Sequence, residues 1–137
     1  MKTCFDSSAF AKRFIEEEGS AKVESICSRA TELGLSVLGV PEIISALNRR
    51  RREGNLTAAQ YRQAKQRLIA DVRDADIIQL TPSVVATSIE VLEAGPLRGM
   101  DALHIAGAIE WEAELFVSSD KTQLAAAKKA GLKVQAA

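Results

Sequence analysis

The sequence predicts one α/β domain over residues 1–137, a parallel β-sheet of four to five strands flanked by helices on both faces (an α/β/α sandwich). Three observations carry that expectation. Short apolar runs of strand length alternate with longer segments whose apolar residues recur at helical spacing. Helix starts and stops are punctuated by Pro41, Thr57, Thr81-Pro82, Gly54-Asn55 and Gly95-Pro96. No internal repeat, low-complexity tract or linker divides the chain.

Taken in order, KTCF reads as a strand that ends at Asp6, and SSAFAKRFIEEEG as a helix carrying Phe10, Phe14 and Ile15 and stopping at Gly19. A second helix is expected over Ser20 to Thr31, with Val23, Ile26, Cys27 and Ala30 on one face and Gly34 as its end. LSVLGV is the second strand. Pro41 then occupies a first-turn position that proline tolerates, and EIISALNRRRR continues as helix. Thr57 caps a helix over residues 58 to 74, IIQL is a third strand, and Thr81-Pro82 opens a helix to about Glu93. In MDALHIAGAIEWEA, Ala102, Ile105, Ala106 and Ile109 make an inward helix face. LFVSS, DKTQLAAAKKAG and LKVQ complete the pattern as strand, helix and strand.

Composition narrows the function classes. Hydrophobic residues make up 47% and charged residues 26%, a globular balance, and 4% aromatics is too few for a base-stacking platform. Cys4 and Cys27 form no C-x-x-C, so neither a zinc ribbon nor a disulfide framework is expected, and a reducing cytoplasm suits the chain. Asp6 interrupts the N-terminal apolar run, which argues against a signal peptide, and no run reaches the ~18 residues of a membrane span. The net charge is zero but polarised. Arg49 to Arg73 holds eight basic residues against two acidic, and Asp74 to Asp120 nine acidic against one basic. Such polarity suggests a basic contact surface beside an acidic site.

The acids of interest are Asp6, Glu42, Asp101 and Asp120, each at a strand-to-helix junction or in the first turn of a helix. In a parallel sheet the strand C-termini share one edge, where ligands bind, so the four can meet there. Taken singly, each has an ordinary explanation as a helix cap, and Asp120 with Gln123 looks like a capping box. Taken together, close carboxylates must take up protons or hold a cation. Oxygen-only donors select hard ions such as Mg²⁺ or Mn²⁺, which suit phosphodiester hydrolysis.

The segments CFDSSAFAKRFIEEEGS, PEIISALNRRRREGNLT, RGMDALHIAGAIEW and LFVSSDKTQLAAAKKAGLKV resemble, in order and spacing, the PIN domain family, and within it the VapC-type toxin ribonucleases of toxin–antitoxin systems. The resemblance implies a PIN-like sheet and an endoribonuclease dependent on Mg²⁺ or Mn²⁺. Its site would comprise Asp6, Glu42, Asp101 and Asp120, with Ser118 in support. It also implies an RNA substrate, a cognate antitoxin and a homodimer.

Arg49, Arg50, Arg51 and Arg52 are the candidate phosphate contacts, although four consecutive helical residues span more than one turn and cannot all face one way. His104, the only histidine, is expected to be a half-buried helix residue, and Ser8 either to cap the first helix or to touch the metal site's water. Trp111 is expected to pack against a neighbour; Phe10, Phe14, Val23 and Ile26 suit either core or partner contact. Two other functions compete. A haloacid-dehalogenase-like phosphatase would use Asp6 as nucleophile, but wants a second acid where Ser8 stands. A non-enzymatic interaction module would use the acids only as caps.

Overall fold

A computed structural model describes all residues 1–137. The elements in chain order are β1 (Lys2–Phe5), α1 (Ser7–Phe10, followed by a 3₁₀ turn over Ala11–Arg13), α2 (Ser20–Arg29), β2 (Glu32–Ser36), α3 (Gly39–Arg52) and α4 (Ala58–Asp74). Then come β3 (Asp76–Ile78), α5 (Pro82–Glu93), α6 (Gly99–Glu110), β4 (Leu115–Ser118), α7 (Lys121–Lys129) and β5 (Val134–Ala136). The five strands form one parallel sheet in the order β3-β2-β1-β4-β5.

Alternating strand residues feed two cores. Phe5, Leu35 and Val117 point to one face and pack with Phe10, Val23, Ile43, Leu47 and Leu68 of α1 to α4. Cys4, Ile78 and Phe116 point to the other and pack with Val91, Ala102, Ile105 and Ala127 of α5 to α7. This period-two division is what a sheet covered on both faces requires. Phe10, Val23 and Ile26 are therefore core, while Phe14 is half-buried beside them. No helix is long and apolar enough to cross a membrane.

The chain builds outward from β1 to β2 and β3, then crosses to β4 and β5 on the other side. The order reverses between β1 and β4, and a doubly wound sheet opens its ligand crevice there, beyond the strand C-termini. Asp6 follows β1 directly, and Ser118 ends β4.

Several expected boundaries move. The first helix stops at Phe10 rather than Gly19, because buried Ser20 reaches back: its hydroxyl accepts from Glu17 N at 3.0 Å and donates to Ile15 O at 3.3 Å, which fixes a loop. Gly34 does not end a helix. It lies within β2, where a Cβ would stand 2.7 Å from the Trp111 ring, so the indole takes the space a side chain would fill. The second strand accordingly runs over Glu32–Ser36 and not to Val40; Ser36 Oγ accepts from Leu38 N at 3.2 Å and turns the chain into α3. The third strand likewise begins at Asp76 and ends at Ile78, two residues short of the expected Leu80.

Candidate active site

Asp6 is the centre of the site. Its backbone leaves β1 extended, and its Oδ1 accepts from Ala9 N at 2.9 Å, so it caps α1 in place of Ser8. Oδ2 meets two hydroxyls, Ser8 Oγ at 2.7 Å and Ser118 Oγ at 3.0 Å. The residue is only 4% exposed and pairs with no lysine or arginine. Burial therefore pushes its carboxyl above the ordinary value, against the opposing hydrogen bonds.

The surrounding hydroxyls are one hydrogen short. Ser118 Oγ accepts from Asp120 N at 3.0 Å and has a single proton for two acceptors, Asp6 Oδ2 and, at 2.8 Å, Gln123 Oε1. A proton on Asp6 would complete the network, the same direction in which burial acts.

Glu42 stands in the first turn of α3. Its Oε1 receives two donors, Ser7 Oγ from α1 at 3.1 Å and His104 Nε2 from α6 at 2.5 Å. Burial would raise its carboxyl, but the His104 hydrogen bond, aided by Ser7, holds it below the ordinary value. Asp101 opens α6 and pairs through Oδ2 with Arg98 Nε at 3.1 Å. Arg98 itself is raised by that bond and by the charges of Asp101, Asp120 and Glu42. Asp120 caps α7, accepting through Oδ1 from Thr122 N at 2.8 Å and Gln123 N at 3.1 Å. Its expected capping box does not close. The Gln123 side chain turns instead to Ser118 and to Asp101 O at 3.3 Å, tying α7 to α6 beneath the site.

Asp6, Ser118, Asp120 and, through Gln123, the Asp101 backbone are thus joined in one hydrogen-bond network at the β1/β4 reversal, while Glu42 bonds only Ser7 and His104. The donor set fits a hard divalent ion: it is all oxygen, Asp6 is a buried acid paired with no lysine or arginine, and Glu42 Oε2, Asp101 Oδ1 and Asp120 Oδ2 accept nothing within the chain. As the side chains stand, no three of the acids are grouped closely enough to hold a metal ion.

His104 was missed by sequence reasoning. It is 2% exposed rather than half-buried, and it reaches Glu42 across 62 positions of sequence, a contact that no local pattern announces. Of the four arginines, Arg50 pairs with Glu17 at 2.7 Å, Arg51 lies 5.4 Å over the Tyr61 ring, and Arg52 projects from the helix end without an ion pair. Arg49 alone lines a cleft of about 350 Å³ with Glu42, Ser45 and Met100, because positions 42, 45, 46 and 49 share one face of α3. Trp111 packs on the edge of the sheet, under Lys2 Nζ at 4.4 Å and bonded to Asp76 at 3.2 Å.

Fold and site together define a class, a doubly wound α/β domain whose ligand edge is lined by carboxylates. The sequence pattern of the PIN domain matches residues 3–129, and the chain belongs to that family. It is 30% identical over 105 residues, 77% of this chain and 73% of the relative, to "Ribonuclease VapC45" of Mycobacterium tuberculosis. In structure it is similar to Mycobacterium tuberculosis VapC20, described as a sarcin-ricin loop cleaving toxin, with a TM-score of 0.70, 15% identity and 95% of each chain covered. A toxin–antitoxin complex from Klebsiella pneumoniae gives a TM-score of 0.66 at 15% identity, with 90% of each chain covered.

Proposed function

We propose that the chain is a metal-dependent endoribonuclease, the toxin of a toxin–antitoxin pair. The observation that carries this is Asp6, a buried acid paired with no lysine or arginine, set at the sheet's reversal point in one hydrogen-bond network with Ser118, Asp120 and the Asp101 backbone, and followed by Ser7, which bonds Glu42. The naming of its 30% identical relative as a ribonuclease, and the seating of a similar fold in a toxin–antitoxin complex, support the choice of substrate and partner. A cytoplasmic location and a homodimer belong to the same proposal.

Asp6, Glu42, Asp101 and Asp120 would hold Mg²⁺ or Mn²⁺, which when bound supplies charge against the phosphate and lowers the pKa of a water. Within the chain, Ser8 and Ser118 fix the Asp6 carboxylate, and the Asp120 cap anchors one oxygen while leaving the other free. Arg49, which lines a cleft with Glu42, and the exposed Arg98, which pairs with Asp101, would contact the RNA backbone beside these acids. The haloacid-dehalogenase alternative loses its general acid, since Ser8 donates a hydrogen bond to Asp6 where that chemistry needs a carboxyl.

The test is cleavage of structured RNA by the purified, antitoxin-free chain in Mg²⁺, in Mn²⁺ and in EDTA. The expected result is hydrolysis in either ion and none in EDTA, restored when the ion is added back. Cleavage that continues in EDTA would contradict the metal-dependent mechanism.

A further inference from the structure

We propose that His104 is a positioning residue. It pins one oxygen of Glu42 so that the other is presented to the divalent ion, a role that rests on the metal-nuclease function proposed above.

The geometry is specific. Two donors from two different helices, Ser7 Oγ and His104 Nε2, converge on Glu42 Oε1, and none reaches Oε2. Because a carboxylate oxygen only accepts, the Nε2 position must carry the hydrogen. That choice leaves Nδ1 as the ring's remaining polar atom, and Nδ1 is buried without a partner.

A residue retained for packing would not be built this way. His104 lies among Ala102, Ile105, Ala106 and Ala108 on the buried face of α6, where leucine or methionine would leave no unsatisfied nitrogen. The imidazole accepts an orphaned Nδ1 in order to place Nε2, and the object at Nε2 is a carboxylate of the site. The same helix carries Asp101 one turn earlier, so α6 supplies both a ligand and the group that orients another ligand. Fixing Glu42 from α1 and α6 before an ion arrives removes rotamer freedom that would otherwise be lost on binding. The sheet's own network already holds Asp6; without His104, Glu42 would have only Ser7.

The experiment is Mn²⁺ affinity by titration calorimetry without RNA, on wild type, His104→Gln, His104→Asn and His104→Leu, with melting temperatures of the metal-free proteins. Glutamine reaches the position of Nε2 and asparagine only that of Nδ1. The expected pattern is wild-type affinity for His104→Gln and a loss of about tenfold or more for the other two, the scale typical of groups that orient metal ligands. Metal-free melting temperatures should not fall in parallel. Should His104→Leu or His104→Asn fail to fold, Ser7→Ala tests the same oxygen from the other helix and is expected to weaken Mn²⁺. Wild-type affinity in a folded His104→Leu, or in Ser7→Ala in that event, would overturn the proposal, as would a folded glutamine variant as weak as leucine. Absence of Mn²⁺ binding to wild type would overturn the metal-nuclease function itself.

Discussion

Asp6 is a buried carboxyl group with no lysine or arginine to pair with, and its burial works against the charged form. Its hydroxyl and amide partners are neutral, and burial holds its pKa above the ordinary 3.8. The folded chain therefore binds a proton at pH values where the unfolded chain has already released it. Stability linked to this group is intact below 3.8 and is lost as pH rises through the folded value. Asp6→Asn keeps the α1 cap, because asparagine caps as well as aspartate, and removes the buried charge. The metal-free variant is expected to be more stable than wild type at neutral pH by about 1 kcal/mol, a rise of about 4 °C in melting temperature. Its advantage should shrink toward acid pH. Melting curves across that range check this, and a variant that melts lower than wild type at neutral pH would show that the charge is compensated. Glu42 has the opposite sign: its carboxyl is held low, so its contribution is present at neutral pH and fades on acidification.

At the scale of elements, α3 turns a run of like residues into separate roles. Arg49 faces the cleft beside Glu42, Arg50 is taken by Glu17, Arg51 lies on Tyr61, and Arg52 is exposed at the helix end without an ion pair. Arg49→Ala is expected to raise KM for RNA and to reduce the salt dependence of binding by the slope of one phosphate contact, about 0.7 to 0.9. Arg52→Ala should leave both near wild type. Equal effects from the two variants would show a diffuse basic field instead of a defined contact. The helix itself was legible in the sequence, as were the five strands, the caps at Thr57 and Thr81 and the junction positions of all four acids. What the sequence concealed was long-range. Gly34 looked like a helix stop and proved to be the space for Trp111, and His104 looked like half-buried packing and proved to touch Glu42. Local periodicity carries no information about a partner 62 or 77 positions away. The face each arginine presents follows from helical spacing, but which faces are occupied required the positions of Glu17 and Tyr61.

Across the whole molecule, the two charge blocks of the sequence become a spatial arrangement. The basic block lies on α3 and α4, and part of it is spent internally, Arg50 on Glu17 and Arg67 on Glu24. The acidic block runs from β3 through α6 to the start of α7. They meet where Arg49 and Met100 line one cleft with Glu42, next to the edge where β1 and β4 deliver Asp6 and Ser118. This edge exists because the sheet reverses its winding there, so the placement of Asp6 and Ser118 is a consequence of strand order and not of any single loop. Joint action of Asp6 and Asp101 on RNA is checked by comparing RNA cleavage in Mn²⁺ by wild type, Asp6→Asn and Asp101→Asn, each shown to be folded. Rates below about 1% of wild type are expected for both variants, since even groups that merely orient metal ligands are worth about 10–100-fold. Folded variants that cut RNA at the wild-type rate would reduce these carboxylates to helix caps and contradict it.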